Sequence, residues 1–195
     1  MDTEREDRMN RFILMTSAVL CCLSFACATH FTAKAFEGGP ATTVPEFYTR
    51  LVGDWSGSYS LWLDPRAPAE KSGIKARVRP AARSAYFLLT YSWTWKGKKQ
   101  EGVFLLGGKD DSASAAWGDS WHMVPEHMQC KGRLEEEGRK MVLDGGYRAG
   151  PGSPDWGWRT EFTLLDSGSA LMEAYNITPD GQEGLAVRAE MNRVQ

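Results

Sequence analysis

Cysteine is scarce in this chain, and its placement excludes an internal disulfide framework in the folded domain. The 195 residues include four cysteines, of which Cys21, Cys22 and Cys27 lie close to the amino terminus. Cys130 is then left without a partner in the folded part. We expect it to be a small buried hydrophobic residue on a strand, with pairing between two chains as the alternative. A domain of about 160 residues buries roughly 70% of its unfolded surface, so such cross-links are not required.

Histidine and familiar catalytic motifs are also sparse. His30 lies near the amino terminus, which leaves His122 and His127 for the folded part. Together with Cys130, these two histidines do not show a usual zinc spacing, and Pro125 interrupts the segment. The sequence contains no Gly-x-Ser-x-Gly elbow of the hydrolase kind. We therefore expect no metal site, no cofactor and no nucleophile–base pair of a known pattern.

Neither sign of charge is in excess. Lysine and arginine number 23 and the acidic residues 25, which gives a net charge of -2 at pH 7. A nucleic-acid-binding domain usually shows a strong basic bias, so we expect no nucleic-acid partner. Hydrophobic residues make up 42% and charged residues 25% of the chain, values typical of an ordinary globular domain.

The start of the chain lacks charge over a long run. Residues 12–28 carry no charged side chain and follow Arg8 and Arg11, a pattern typical of an export signal. The run is also near the shortest that spans a membrane. We interpret residues 1–35 as a signal peptide or amino-terminal membrane segment with linker, and residues 36–195 as a single domain. The predicted location is periplasmic or secreted, with membrane anchoring, by the uncleaved segment or a lipid on Cys27, as the alternative.

The hydrophobic pattern changes from helical to strand-like along the domain. Residues 45–52 place Phe47, Tyr48 and Leu51 at helical spacing, which predicts a short helix with one apolar face. Alternation with a period of two then recurs in about ten segments separated by turn residues. The predicted strands span residues 55–63, 74–79, 87–95, 102–106, 114–123, 127–134, 140–145, 157–165, 170–178 and 184–194. This meander predicts an all-β fold, either a sandwich or an up-and-down antiparallel β-barrel. We favour the barrel, because its closure removes exposed strand edges.

Four short motifs carry a family resemblance. The sequence GDWSG at 53–57 resembles the Gly-x-Trp opening of calycins, the superfamily of lipocalins, fatty-acid-binding proteins and nitrobindins. With EGVFLLG at 101–107, WGDS at 117–120 and a last strand ending on Arg193, the chain resembles a bacterial family known as domain-of-unknown-function family 1579. The resemblance implies a calycin-like barrel. The chain departs from that family at 107–110, where Gly-Gly-Lys-Asp stands for the usual Gly-Tyr-Asp.

The resemblance implies structural roles for three residues. In calycins the first-strand tryptophan packs against a basic residue of the last strand, which implies a cation–π contact between Trp55 and Arg193 beside Gly53. Nitrobindins hold haem iron through a histidine on the last strand. Aligned on Arg193, this chain has Ala186 at that position, so the resemblance implies no haem of the nitrobindin type.

Aromatic residues are plentiful, and all eight tryptophans follow residue 54. A barrel of ten strands is wide enough to leave an apolar pocket fixed by a few polar groups. The predicted lining of that pocket is Tyr59, Phe87, Tyr91, Trp93, Trp117, Asp119, Trp121, His122, Phe162 and Tyr175. The alternative is a solid interior, since aromatic residues also fill cores.

Three kinds of function fit this reading. The leading one is an exported barrel that binds a small lipophilic or aromatic molecule, with the membrane as a partner only through the amino-terminal segment. The second is an enzyme of the isomerase or cyclase type that uses an interior tyrosine or carboxylate, the candidates being Asp119, Glu161 and Glu173. The third is an interaction or scaffold protein with an exposed apolar patch. The tryptophans considered for that patch are Trp62, Trp156 and Trp158.

Overall fold

The computed structural model describes residues 44–121, 126–148 and 150–195. The predicted signal or membrane segment, Cys27 and His122 therefore lie outside the described residues. Within the described ranges, no helix is both long and apolar enough to cross a membrane.

A short helix precedes ten strands. The helix α1 (Glu46–Leu51) follows Pro45 and buries Phe47, Tyr48 and Leu51, the three residues that the helical spacing indicated. The strands are β1 (Gly53–Leu61), β2 (Glu70–Ala81), β3 (Tyr86–Trp95), β4 (Lys98–Gly107), β5 (Ser112–Asp119), β6 (Met128–Glu135), β7 (Lys140–Arg148), β8 (Asp155–Leu164), β9 (Ser169–Ile177) and β10 (Glu183–Arg193). A single 3-10 turn, Glu136–Gly138, joins β6 to β7.

The strands form one closed antiparallel barrel. Each strand pairs with its neighbours in sequence, and β10 closes the barrel by pairing with β1 in a register that places Arg193 opposite Trp55. The predicted fold is thus confirmed as an all-β, up-and-down barrel of ten strands with a helix before the first. Closure leaves none of the ten described strands with an open edge.

Strand ends differ from the predicted bounds for identifiable reasons. Both β2 and β4 are longer than the predicted segments. The prediction stopped short because charged side chains at their ends interrupt the hydrophobic alternation. The fifth strand stops at Asp119, before the predicted end at residue 123. There the Asp119 side chain accepts a hydrogen bond from the backbone N–H of Trp121 at 2.6 Å, which turns the chain away from the strand.

The helix covers one end of the barrel. The hydroxyl of Tyr48 donates a hydrogen bond to the carbonyl of Gly107 at 2.8 Å, and its ring stacks on Phe87 with centroids 5.3 Å apart. Phe47 meets the Tyr48 ring edge-on at 5.7 Å. These contacts bury the apolar face of α1 against the strand ends. The opposite end of the barrel is not covered by this helix.

Gly53 is required at the point where the helix passes into β1. Its φ is +150°, and a Cβ atom there would lie 2.1 Å from the Nη1 atom of Arg193. Only glycine meets both conditions, because it lacks the Cβ that would clash and tolerates positive φ. The conformation brings the end of α1, the ring of Trp55 and the end of β10 together.

Candidate functional site

An inner cavity of about 170 Å³ lies at the end of the barrel away from α1. Of the predicted lining residues, those that line it are Tyr59, Tyr91, Trp93, Trp117, Asp119 and Trp121. The lining residues that sequence reasoning missed are Leu61, Trp62, Leu63, Phe104, Tyr147, Trp158, Thr160, Met172, Ala174, Asn176, Ala186 and Val187. The interior is therefore partly hollow at this end and filled by side chains at the helix end.

Two groups of stacked rings form the walls of the cavity. On one side Trp117 stacks between Phe104 and Trp158, with centroids 5.7 and 5.3 Å apart and ring planes within 15° of parallel. On the other side Tyr59 stacks on Trp93 at 4.7 Å. These side chains come from five strands, and their planar faces give the cavity a rigid aromatic lining.

Asp119 is the only acidic residue among the described lining residues, and it is 7% exposed. The Trp117 Nε1–H donates to the Tyr91 hydroxyl at 3.0 Å, and that hydroxyl donates to Asp119 Oδ2 at 3.1 Å. The backbone N–H of Trp121 donates to Oδ1. The Tyr91 hydroxyl and the Trp121 N–H thus each donate to one carboxylate oxygen of Asp119.

The WGDS and EGVFLLG motifs account for this geometry. In β5 the alternation turns Trp117 and Asp119 inward and leaves Gly118 outside, and Ser120, just after the strand, is exposed. In β4 the inward position opposite Tyr91 is Gly102. A Cβ at Gly102 would lie 2.2 Å from the Tyr91 ring, so the missing side chain makes room for the tyrosine beside Asp119.

Burial and the carboxylate both act on the tyrosines. Burial is the larger cause that raises the pKa of the Tyr59 and Tyr91 hydroxyls above the ordinary value, and the negative charge of Asp119 adds to it. Both hydroxyls therefore keep their protons at neutral pH, and the Tyr91 hydroxyl uses its proton to donate to Asp119.

Further polar groups sit on the wall and at the rim. Trp158 Nε1–H donates to the buried hydroxyl of Thr160 at 2.9 Å, and near the rim the Tyr147 hydroxyl donates to Asn176 Oδ1 at 2.7 Å. Within the described part of the chain, the indole N–H groups of Trp93 and Trp95 are buried without a hydrogen-bond acceptor. An unmet donor in a cavity wall is a place where a bound molecule gains a hydrogen bond.

Three predicted lining residues do not reach the cavity. Phe87 lies under α1 against Tyr48. Phe162 is buried in the core and meets Phe104 edge-on at 5.5 Å. Tyr175 faces outward on β9, where the guanidinium of Arg159 lies 4.7 Å above its ring. Phe87 and Phe162 point into the barrel, but at a different depth from the cavity. Tyr175 points out of the barrel, and its side was predicted wrongly because both faces of β9 are partly apolar.

The other two carboxylates considered for catalysis are outside the barrel. Glu161 on β8 makes ion pairs with Lys140 at 2.9 Å and Arg159 at 2.8 Å. Glu173 on β9 lies 3.5 Å from Arg188. Both belong to charged clusters on the outer surface, so Asp119 is the only one of the three that faces the cavity.

The tryptophans considered for an exposed patch do not form one. Trp158 is buried and Trp62 lines the cavity, while Trp156 is half-buried beside Tyr147. The exposed apolar side chains of the sheet lie elsewhere, on the outer face of β3 and β4. They are Tyr86, Leu88, Val103 and Leu105.

The sequence predicted neither a metal site nor a haem of the nitrobindin type. No group of three or more His, Cys, Asp or Glu side chains in the described ranges is placed to hold a metal ion. Ala186, at the position of the nitrobindin haem ligand, does line the cavity, but its methyl group supplies no ligating atom. The cavity is also below the roughly 300–1,000 Å³ of most small-molecule pockets.

A wider groove of about 1210 Å³ lies on the outer surface, between β1 and β5 and the carboxyl-terminal residues Val194 and Gln195. Charged side chains of both signs, including Lys75, Arg77 and Glu101, line it and face solvent. The inner cavity is therefore the better candidate for a small apolar ligand.

These features define a class: a closed ten-stranded antiparallel barrel, plugged by a helix at one end and with an aromatic cavity at the other. The family model described as "Protein of unknown function (DUF1579)" matches residues 44–193. The chain belongs to this family. No curated protein matches it in sequence.

Two solved structures are similar to the chain. The crystal structure of Rv2717c from M. tuberculosis shares 11% sequence identity over 77% of this chain and 96% of its own, with a TM-score of 0.56. At this identity the likeness supports the barrel fold alone. A proposed thioesterase II from Thermobifida fusca YX shares 9% identity over 74% of this chain and 79% of its own. Its TM-score of 0.22 supports no argument.

Proposed function

We propose that this protein binds a small lipophilic or aromatic molecule in the inner cavity of its barrel. The observation that carries the proposal is the cavity between the stacked rings of Trp117 and Trp158 and those of Tyr59 and Trp93, with Asp119 in its wall. Apolar walls with a few placed polar groups are the usual design of a ligand site.

The size of the cavity narrows the class of ligand. A cavity of about 150 Å³ accepts a molecule such as benzene, and this one measures about 170 Å³. A single-ring compound therefore fits, whereas a long acyl chain does not fit within the cavity as it stands.

Binding is tested by titrating the full chain with single-ring compounds, such as phenol, toluene and indole, against decanoate as a long-chain comparison. We expect saturable quenching or shift of tryptophan fluorescence with the ring compounds, since tryptophans line the cavity. Calorimetry gives the dissociation constants. No saturable binding of any ring compound would refute the proposal.

A filling variant locates the site. In Ala174→Leu the added side chain enters the cavity, because Ala174 lines it. The matched control is Ala116→Leu, on the outer face of β5, opposite Leu105 of β4. We expect Ala174→Leu to weaken binding at least tenfold, which is about 1.4 kcal/mol of binding free energy. Ala116→Leu should leave the dissociation constant unchanged. Equal binding by both variants would place the ligand elsewhere.

A second candidate function is catalysis by the same cavity. The observation that favours it is the Tyr91–Asp119 pair, an interior carboxylate with a protonated tyrosine beside it. An isomerase or cyclase needs such an acid–base pair within reach of its substrate. Conversion of a bound compound during incubation, followed by mass spectrometry and lost in Asp119→Asn, would support it. Recovery of every bound compound unchanged would leave binding as the function.

Export and a calycin relationship belong to the same proposal. The charge-free residues 12–28 after Arg8 and Arg11 support export to the periplasm or beyond. The contact between Trp55 and Arg193 is the one that the calycin resemblance implies. Fractionation of cells expressing the full chain, with amino-terminal sequencing of the product, tests export, and an uncleaved cytoplasmic chain would refute it.

A further inference from the structure

Three buried tryptophans of the barrel donate their indole N–H to an acceptor in the protein. Trp55 donates to a backbone carbonyl at 2.9 Å, Trp117 to a tyrosine hydroxyl at 3.0 Å and Trp158 to a threonine hydroxyl at 2.9 Å. Trp93 differs from them. It is 3% exposed, and no group of the described residues accepts a hydrogen bond from its Nε1–H. The fold thus supplies acceptors to these three indoles and leaves the Trp93 donor unpaired.

The unpaired donor belongs to the wall of the inner cavity. Trp93 lies on β3 and lines the cavity, and the Tyr59 ring stacks on it at 4.7 Å. The Trp121 ring meets it nearly at right angles, with centroids 5.7 Å apart. An aromatic ring is a weak acceptor compared with a carbonyl oxygen. Packing around Trp93 is therefore aromatic, and within the described residues its N–H lacks a strong partner.

A buried donor without an acceptor destabilises the ligand-free protein. Its hydrogen bond to water is lost on burial, and no protein group replaces it. A buried water molecule is retained where it meets about two to four polar partners. A ligand needs fewer, because contact between its apolar body and the aromatic walls already holds it in the cavity. A ligand with an acceptor therefore gains a hydrogen bond that a plain hydrocarbon does not.

Resting on the binding function proposed above, we propose that the ligand is a small aromatic carbonyl compound whose oxygen accepts a hydrogen bond from the Nε1–H of Trp93. Its ring lies among the stacked side chains of the cavity, whose volume of about 170 Å³ suits a single ring. Trp93 then selects for the acceptor, and the other rings of the wall select for size and apolar surface.

The test compares two probes of the same shape. Acetophenone carries a carbonyl oxygen where α-methylstyrene carries a CH2 group, and the two compounds are otherwise alike. Both are titrated into the full chain at pH 7, by calorimetry and tryptophan fluorescence. The quantity measured is the ratio of their dissociation constants. Because the ketone loses more hydration than the hydrocarbon on binding, this ratio is compared between variants of the protein.

Two variants assign the preference to one indole. Trp93→Phe removes the donor and keeps an aromatic ring, so the space it leaves affects both probes alike and the lost N–H affects the ketone alone. We expect the ratio to move at least about fivefold against acetophenone. The matched control is Trp158→Phe, which also shortens an indole of the wall, but one whose N–H already donates to Thr160. There the ratio should stay within about twofold.

Nuclear magnetic resonance on the unaltered chain detects the hydrogen bond itself. Isotope-labelled tryptophan gives one indole N–H resonance for each ring. The resonance of Trp93 is assigned by its absence from Trp93→Phe or, if that variant fails to fold, by its Overhauser contacts with the Tyr59 ring that stacks on it. We expect acetophenone to shift the Trp93 indole proton further downfield than α-methylstyrene does, because a hydrogen bond deshields the proton.

The outcomes separate the ligand class from the binding function. Both probes binding in a manner blocked by Ala174→Leu, with a ratio that Trp93→Phe leaves unchanged, would overturn the role of Trp93 and leave the cavity function standing. An equal change of the ratio in Trp158→Phe, or no downfield shift of the Trp93 proton with acetophenone, would overturn it in the same way. No saturable binding of any ring compound would overturn both proposals.

Discussion

The guanidinium group of Arg193 joins the last strand to the end of the helix. Its Cζ atom lies 4.4 Å from the ring centre of Trp55, and its two terminal nitrogens donate to the carbonyls of Val52 at 2.5 Å and Arg50 at 2.6 Å. Trp55 Nε1–H donates to the carbonyl of Leu51 at 2.9 Å. Carbonyls at a helix end lack partners within the helix. Arg193 and Trp55 therefore donate hydrogen bonds to these carbonyls and hold α1 against the end of the barrel.

Replacing Arg193 should loosen this end of the barrel. We expect Arg193→Ala to lower the free energy of unfolding by about 1–2 kcal/mol, a value reduced for the partial exposure of the side chain. Arg193→Lys should cost less, since it keeps the charge and loses the two-pronged donation. Urea unfolding followed by tryptophan fluorescence measures both. The control is Arg188→Ala on the outer face of β10, expected within about 0.5 kcal/mol; an equal loss there would contradict the role of Arg193.

Gly102 and Gly118 offer a matched pair for testing the Tyr91 pocket. A Cβ at Gly102 would overlap the Tyr91 ring, whereas at Gly118 the nearest atom is Val103 Cγ1 at 3.9 Å. We expect Gly102→Ala to destabilise the fold by about 1–3 kcal/mol and change the near-ultraviolet circular dichroism of the neighbouring tryptophans. Gly118→Ala should stay within about 0.5 kcal/mol. Equal unfolding midpoints for the two variants would show that Gly102 does not make room for the ring.

Tyr91→Phe tests the hydrogen-bond network directly. Removal of the hydroxyl leaves the Trp117 N–H without its acceptor and Asp119 without one of its donors. A loss of about 1–3 kcal/mol is expected, because the remaining groups stay buried. Tyr147→Phe, which removes one partly exposed hydrogen bond to Asn176, serves as the comparison. It should cost less, and a larger loss there than in Tyr91→Phe would contradict the network.

Alkaline pH should destabilise the protein. Burial first, and then the charge of Asp144, raises the pKa of the Cys130 thiol from 9.0 to about 11. Burial raises that of the Tyr48 hydroxyl from 10.0 to about 12. The folded state thus holds protons that the unfolded chain releases, so stability is complete below about pH 9 and falls as pH rises toward 12.

Urea midpoints between pH 8 and pH 11 measure this loss. The variant Cys130→Ala should lose less stability over that range than the unaltered chain, because its thiol no longer titrates. A free energy of unfolding that stays constant from pH 8 to pH 11 would contradict the assignment. The same burial predicts slow alkylation of Cys130 in the folded state.

Much of the fold follows from the period of the sequence. Alternation from Trp55 onward, with turn residues between the runs, specified ten antiparallel strands, and the spacing of Phe47, Tyr48 and Leu51 specified the helix. These are local properties, since the direction of a side chain on a strand depends on its position along that strand. Asp119 and Trp117 were assigned to the cavity for the same reason.

The depth of a side chain within the barrel, by contrast, is not determined by its own segment of the sequence. Phe162 and Trp158 share the inner face of β8, yet Trp158 lines the cavity and Phe162 packs in the core below it. The stagger between neighbouring strands determines which inward residues share a level, and no single segment encodes it. Phe104 was missed for the same reason, although Gly102 and Leu106 mark its face in the sequence.

Which side chains of a strand point into the barrel is ambiguous in the sequence where both faces of the strand are partly apolar. In β9 the sequence SALMEAYNI allowed Tyr175 to be placed inside. The structure instead turns Ala170, Met172 and Ala174 inward, and Tyr175 meets Arg159 outside. The neighbouring strand decides such cases, because its charged residues need partners on the outer face.

The sequence by itself therefore determined the strand order, the helix that covers one barrel end and the residue types where β1 meets β10. The reason is that hydrophobic periodicity, turn residues and short motifs are properties of neighbouring positions in the sequence. Only the tertiary structure decided that the interior is hollow at one end, that Tyr91 links Trp117 to Asp119, and that Glu161 and Glu173 lie outside. These facts depend on the register and stagger of ten strands at once, which bring together residues far apart in the chain.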